Sequence, residues 1–152
     1  AAALAAERIA PARLAPIRRA LRAVEVALRK GGGAIEEDFA FHRAVAEASG
    51  NSRIAELLEF LGRAIIPRQC VRVSVTSPDE QRRYLERIQE EHARIFEAID
   101  GRDPAEARKA MRTHLTRSLH RYRGLAERES PAAGVRRPAA RRRGKRGEGR
   151  SR

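Results

Sequence analysis

Tryptophan is absent from this 152-residue chain, which has only four Phe and two Tyr. With so few rings, packing has to rely on Leu, Ile, Val and Ala, and that favours helices. A single cysteine, Cys70, excludes an internal disulfide framework and reads as a small buried hydrophobe. No apolar run approaches the ~18 residues of a membrane span. Glu7 and Arg8 interrupt the alanine-rich start before a signal-peptide core could form. These absences predict a cytoplasmic protein with no membrane segment. Lysine is scarce as well: Lys30, Lys109 and Lys145 are the only lysines among 33 basic residues.

What is present suffices for one domain, since a chain of this length hides roughly two thirds of its unfolded surface on folding. The net charge of +13 is unevenly placed: nine basic residues lie from Ser130 onward against Glu148 alone, so most of the excess sits in the tail. That segment is rich in Pro, Ala, Gly and Arg, too polar to offset the entropy of ordering, and is expected to be disordered. Its arginines could neutralise phosphates, but without aromatic interleaving they carry no base-reading signal. The chain begins without Met, inside what reads as a helix, as a piece of a longer protein would.

Apolar spacing places the helices. Residues 1–9 read as a first helix. Pro11 suits the opening of a second, but Pro16 would kink a helix already under way, so a start near Leu14 or Ala15 is expected. Ile17, Leu21, Val24 and Leu28 then repeat at helical spacing until Gly31, Gly32 and Gly33 stop the run. A third helix is predicted over Ile35–Ala48, with Ile35, Phe39, His42 and Ala46 on one flank. After a break at Ser49 and Gly50, Asn51 is placed to cap a fourth. That helix carries Ile54, Leu57, Leu58, Leu61 and Ile65 on one stripe, with Gly62 and Pro67 expected to bend or divide it. Ser77-Pro78-Asp79-Glu80 and Asp103-Pro104-Ala105-Glu106 each supply cap, first-turn proline and acid in order. The fifth helix carries Leu85, Ile88, His92, Ile95, Phe96 and Ile99. The sixth carries Ala107, Ala110, Met111, His114, Leu115 and Leu119 and is expected to reach Tyr122. The Val71, Val73, Val75 alternation is too short to argue for a sheet.

Three of the four histidines, His42, His92 and His114, lie on apolar helical faces, and Asp38 stands one turn before His42 on the same flank. Inward imidazole and carboxylate groups from different helices can assemble a metal site, with nitrogen suited to Zn, Ni, Co or Fe and the carboxylate offsetting charge. Three His and one Asp leave a coordination position open for a small acid or water. Each residue also has a simpler reading: a lone His on an apolar stripe is usually a satisfied core residue, and Asp–His at i,i+4 is a common surface pair. Spacing leaves both readings open. His120 falls on another side of its helix, with Arg117, Arg121 and Arg123 on a solvent face, and Glu90 and Glu91 read as ordinary surface acids beside His92. Arg68 continues the inward stripe of the fourth helix and could fork onto a carboxylate ligand, unless Pro67 turns it outward. No His-Glu-x-x-His, phosphate loop or nucleophile elbow is present, which argues against an enzyme.

The stretch Asp38-Phe39-Ala40-Phe41-His42 through Ala48-Ser49-Gly50-Asn51 resembles the effector-binding (FCD) domain of the FadR-type branch of the GntR transcription regulators. So do Glu91-His92 with Ile95, Ala98-Ile99, Gly101 and Asp103, and then Ala107, Ala110-Met111 and His114-Leu115. The resemblance spans roughly residues 1–125, leaving 126–152 as an Arg-rich tail. It implies an all-α antiparallel bundle of six to seven helices with an internal polar pocket. It implies a divalent metal, Zn or Ni, on Asp38, His42, His92 and His114 that helps to bind a small organic acid effector, for which the position of Arg68 on its stripe offers a further contact. It further implies a homodimer and operator DNA read through an upstream winged helix-turn-helix, which is not in this sequence. The rival readings are a small metal-dependent enzyme on the same ligands and a basic nucleic-acid accessory protein acting through its tail.

Overall fold

Six helices take up nearly all of residues 1–31, 34–64 and 77–129, which the computed structural model describes. They are α1 (Ala2–Arg8), α2 (Pro11–Arg29), α3 (Ile35–Ala48), α4 (Ser52–Ala64), α5 (Pro78–Asp100) and α6 (Pro104–Glu129). No strand occurs among the described residues, so the fold is an all-α bundle. Arg68, Cys70, the valine alternation and the Arg-rich tail beyond Glu129 fall outside them; residues 126–129, expected in the tail, continue α6.

The helix boundaries follow from local chemistry. The Ser77 hydroxyl accepts the Glu80 N–H at 3.2 Å, the Asp103 carboxylate accepts that of Glu106 at 2.9 Å, and the Asn51 side chain accepts that of Arg53 at 3.1 Å. Each such cap contributes about 1 kcal/mol. Between α3 and α4 the chain turns at Gly50, whose φ of +71° would strain an L side chain. The buried Ser49 beside it donates its hydroxyl to the Ala46 carbonyl at 2.6 Å, and Arg8 of α1 donates to the Ser49 carbonyl at 3.2 Å. The corner is thereby tied to the first helix.

The second helix departs from expectation. It starts at Pro11 and runs through Pro16. The bond that Pro16 cannot donate would have gone to the carbonyl of Ala12, an exposed residue, so solvent can take the proline's place. The predicted stripe of this helix does face inward: Ile17 and Val24 are buried, and Leu21 and Leu28 are partly so.

Small residues let α1 pack closely. Its Ala2, Ala5 and Ala6 join Ile17, Phe41, Val45, Ile95, Ile99 and Ala107 in one core, and α1 lies against α3, α5 and α6. α2 packs on α3 and on α5, and α5 packs on α6. Two stripes predicted from spacing are wider than the faces the helices bury. Leu115 and Leu119 of α6, read as core-facing, are 54% and 48% exposed, because that helix turns Ala107, Ala110, Met111 and His114 inward instead. On α4, Leu57 is exposed, while Ile54, Leu58 and Leu61 are half-buried.

Among the described elements α4 packs on α3 alone, and Gly62 sets the approach. The helix continues through this glycine to Ala64 without dividing. A Cβ placed at Gly62 would lie 2.1 Å from Cε2 and 2.8 Å from Cζ of Phe39. Gly62→Ala would gain about 1 kcal/mol of helix propensity but force the ring or the helix aside, an overpacking cost of about 1–3 kcal/mol. The expected net result in urea denaturation is a destabilisation of about 1 kcal/mol; an unchanged or higher midpoint would show that the ring yields freely.

One feature of this packing positions the site. No Cα of α3 comes within 8 Å of any described Cα of α5 or α6, although α1 and α2 hold all of them together. The space across from α3 is spanned by side chains, and beside Phe41 the ones that meet there are polar.

Candidate metal centre

α3 contributes Asp38 and His42 one turn apart, α5 contributes His92, and α6 contributes His114. Each helix turns its residue inward for a reason visible in its neighbours. His42 follows the fully buried Phe41, His92 lies on the Ile88, Ile95, Ile99 stripe, and His114 lies on the Ala107, Ala110, Met111 face. One nitrogen from each of the three imidazoles lies within 4.8 Å of those of the others. His42 Nε2 and His114 Nε2 are 3.2 Å apart, and Asp38 Oδ1 stands 3.3 Å from His92 Nε2 and 3.9 Å from His42 Nε2. All four residues singled out by spacing are therefore brought together.

The ring geometry is closely packed. Phe41 stacks on His92 with centroids 4.4 Å apart and planes 29° from parallel, and His42 stacks on His114 at 5.0 Å. His92 is completely buried, yet neither of its ring nitrogens has a hydrogen-bond partner among the described residues. Burial pushes its pKa down to about 2, reinforced by the neighbouring His42, His114 and Arg121. His114 is also held below the ordinary imidazole value, first by burial and then by His42, against an opposing pull from Glu91. Both rings are thus kept neutral, each with a nitrogen near a common centre.

Such an arrangement fits a divalent cation. An orphaned nitrogen in a dry interior costs free energy that a metal bond would recover. Three imidazoles and one carboxylate form a donor set that Zn or Ni accepts, with bonds of ~2.0–2.1 Å from zinc to nitrogen. The gathered nitrogens are close enough for one ion to serve all three.

Two residues of the site were misread from sequence. Glu91 is buried, not a surface acid, and its Oε2 lies 2.9 Å from His114 Nδ1. Arg121 does not share the solvent face assigned to it: its side chain is 18% exposed and donates to both carboxylate oxygens of Glu91, at 3.1 and 3.0 Å. Arg117 adds a weaker contact at 3.4 Å from a half-exposed position. Burial alone would raise the Glu91 carboxyl, but bonds from Arg121 and His114 outweigh it and hold the group below its ordinary value. The signal was present in the spacing: Glu91 stands three residues after Ile88 and four before Ile95, and Arg121 stands two turns beyond His114. His120 and Arg123 are exposed as expected.

Comparison with known proteins agrees with this architecture. Residues 1–117 match the model of the FCD domain. The HTH-type transcriptional regulator LutR of Bacillus subtilis (strain 168) is 32% identical over 117 residues, covering 76% of this chain and 52% of that protein. The chain thus spans about half the length of this relative. From its helices, the order of its motifs and these matches, the chain belongs to the FCD domain family of GntR-type transcription regulators.

Proposed function

We propose that this chain senses a small organic acid for a transcription regulator, through a divalent ion, Zn or Ni, held by Asp38, His42, His92 and His114. The observation that carries the reading is the convergence of three imidazoles from three helices within 4.8 Å, one of them buried with no hydrogen bond at either nitrogen. When bound, the ion would supply a positive docking point for an effector carboxylate, since four protein ligands leave room in a five- or six-coordinate shell. The helix holding Asp38 and His42 meets those holding His92 and His114 through side chains and not through close backbone approach, so ligand occupancy has separate bodies to bias. Effector control requires that the acid prefer one arrangement over another. The output would pass to a winged helix-turn-helix upstream of these residues, working as a symmetric pair on palindromic operator DNA. No described helix is long and apolar enough to cross a membrane. The sensing module is regulatory, as its family is, and not catalytic.

Metal analysis of the purified chain tests this directly. One ion per chain is expected in the wild type and substantially less in His92→Ala and in His114→Ala. Full stoichiometry in both variants would remove the site assignment. Arg68, which lies outside the described residues, is proposed to grip the effector. Arg68→Ala should lose affinity for organic acids at unchanged metal content, and equal affinity would rule the contact out.

A further inference from the structure

The buried carboxylate of Glu91 takes no part in the ligand set, yet it commits one of the two ring nitrogens of His114. Its oxygens accept a two-pronged contact from Arg121, a permanently charged fork whose geometry matches an acceptor-only carboxylate. An ionised carboxylate 2.9 Å from Nδ1 requires that nitrogen to carry the proton and donate. A neutral His114 then has its lone pair on Nε2, the atom that faces His42 Nε2 at 3.2 Å inside the cluster. His92 has no comparable support, since its Nδ1 is buried without a partner and its ring is located by stacking on Phe41.

We propose that Glu91, anchored by Arg121, is a positioning residue that fixes the orientation and tautomer of His114, so that Nε2 is the atom offered to the metal. The inference rests on the metal-centre reading above. Glu91 and Arg121 come from α5 and α6, so the same contact that orients the ring also locks these two helices together at the level of the site. Arg121 also spends a further donor on Ser118 Oγ at 2.8 Å, and its guanidinium lies 5.7 Å from the centre of the Tyr84 ring, so it is itself held in place. Outer carboxylates of this kind raise the basicity of a ligating imidazole and fix its ring, and their loss typically costs 10–100-fold in metal affinity.

The test uses Zn affinity by chelator competition together with the His114 tautomer, read by long-range ¹⁵N–¹H correlation on the metal-free chain. In the wild type, His114 is expected as the Nδ1–H form. Glu91→Ala is expected to weaken Zn binding about 10–100-fold and to release the ring from that tautomer. Glu91→Gln, whose amide oxygen still accepts the Nδ1–H, should recover most of both. Arg121→Ala should shift affinity in the same direction as Glu91→Ala. A folded Glu91→Ala with wild-type affinity and an unchanged tautomer would overturn the proposal, as would an Nε2–H ring in the wild type. Should Glu91→Ala fail to fold, the wild-type tautomer and the Glu91→Gln affinity decide: Nδ1–H with retained affinity supports the assignment, Nε2–H removes it. A wild type that binds no Zn or Ni would instead defeat the metal-centre reading, while the tautomer still reports whether Glu91 holds the ring.

Discussion

Lowering the pH of the metal-free chain below 6.5 is expected to remove about 1.4 kcal/mol of stability per pH unit through His92 alone. The folded protein holds this imidazole neutral down to about pH 2, whereas the unfolded chain protonates it at its ordinary value of 6.5. Between those limits the unfolded state binds the extra proton, so stability is complete above 6.5 and falls progressively as the pH drops. His114 is depressed as well and adds to the slope with the same sign. Glu91 works in the same direction at lower pH: its folded value lies below the ordinary 4.5, so protonating it in the unfolded chain favours unfolding from there downward. A domain of typical stability, about 5–15 kcal/mol, would therefore lose a large share of it by pH 4. Urea midpoints measured with chelator present at pH 7.5, 6, 5 and 4 give the slope, and His92→Leu, which removes the titrating group, should flatten it. A wild-type stability that stays level from pH 7 to pH 5 would mean that His92 is not kept neutral by its surroundings.

The sequence disclosed the site more fully than it disclosed the packing around it. Asp38 and His42 share a helical turn, and His92 and His114 interrupt apolar stripes, so period names four candidates while the resemblance favours a shared site over separate core and surface roles. Period does not say which helices face one another across a gap, and that is why Glu91 was passed over: an acid beside a histidine looks like surface until an arginine from another helix is known to reach it. Arg121 was misplaced for a related reason. Its neighbours Arg117, His120 and Arg123 are exposed, and their charge density masks its two-turn spacing from His114. Leu115 and Leu119 show the opposite error, apolar residues credited with a core that α6 fills from its alanine face. The caps at Asn51, Ser77 and Asp103 were legible because they are decided within four residues. The start of α2 was not, because whether a helix tolerates an internal proline depends on which carbonyl is freed and whether water reaches it.

Phe41→Ala is expected to cost about 3–5 kcal/mol, the range for deleting a fully buried ring. The substitution should do more than open a cavity. Phe41 is the wall against which His92 stacks at 4.4 Å, and it also meets His42 edge-on at 5.6 Å. Removing it would admit water beside two imidazoles, and the desolvation that dominates the low His92 pKa would weaken. Two readouts should therefore move together: the urea midpoint falls, and the His92 titration, followed by NMR on the metal-free chain, rises toward the ordinary imidazole range. Phe41→Leu keeps the wall apolar and most of its volume, so it should lose far less stability and leave His92 neutral. A Phe41→Ala chain that loses under about 1 kcal/mol, or one whose His92 titration does not move, would show that burial by this ring is not what holds His92 unprotonated. The contrast between the two variants separates the contribution of packing from that of exclusion of water, since only the alanine opens room for water against the His92 ring, whose Nε2 faces Asp38.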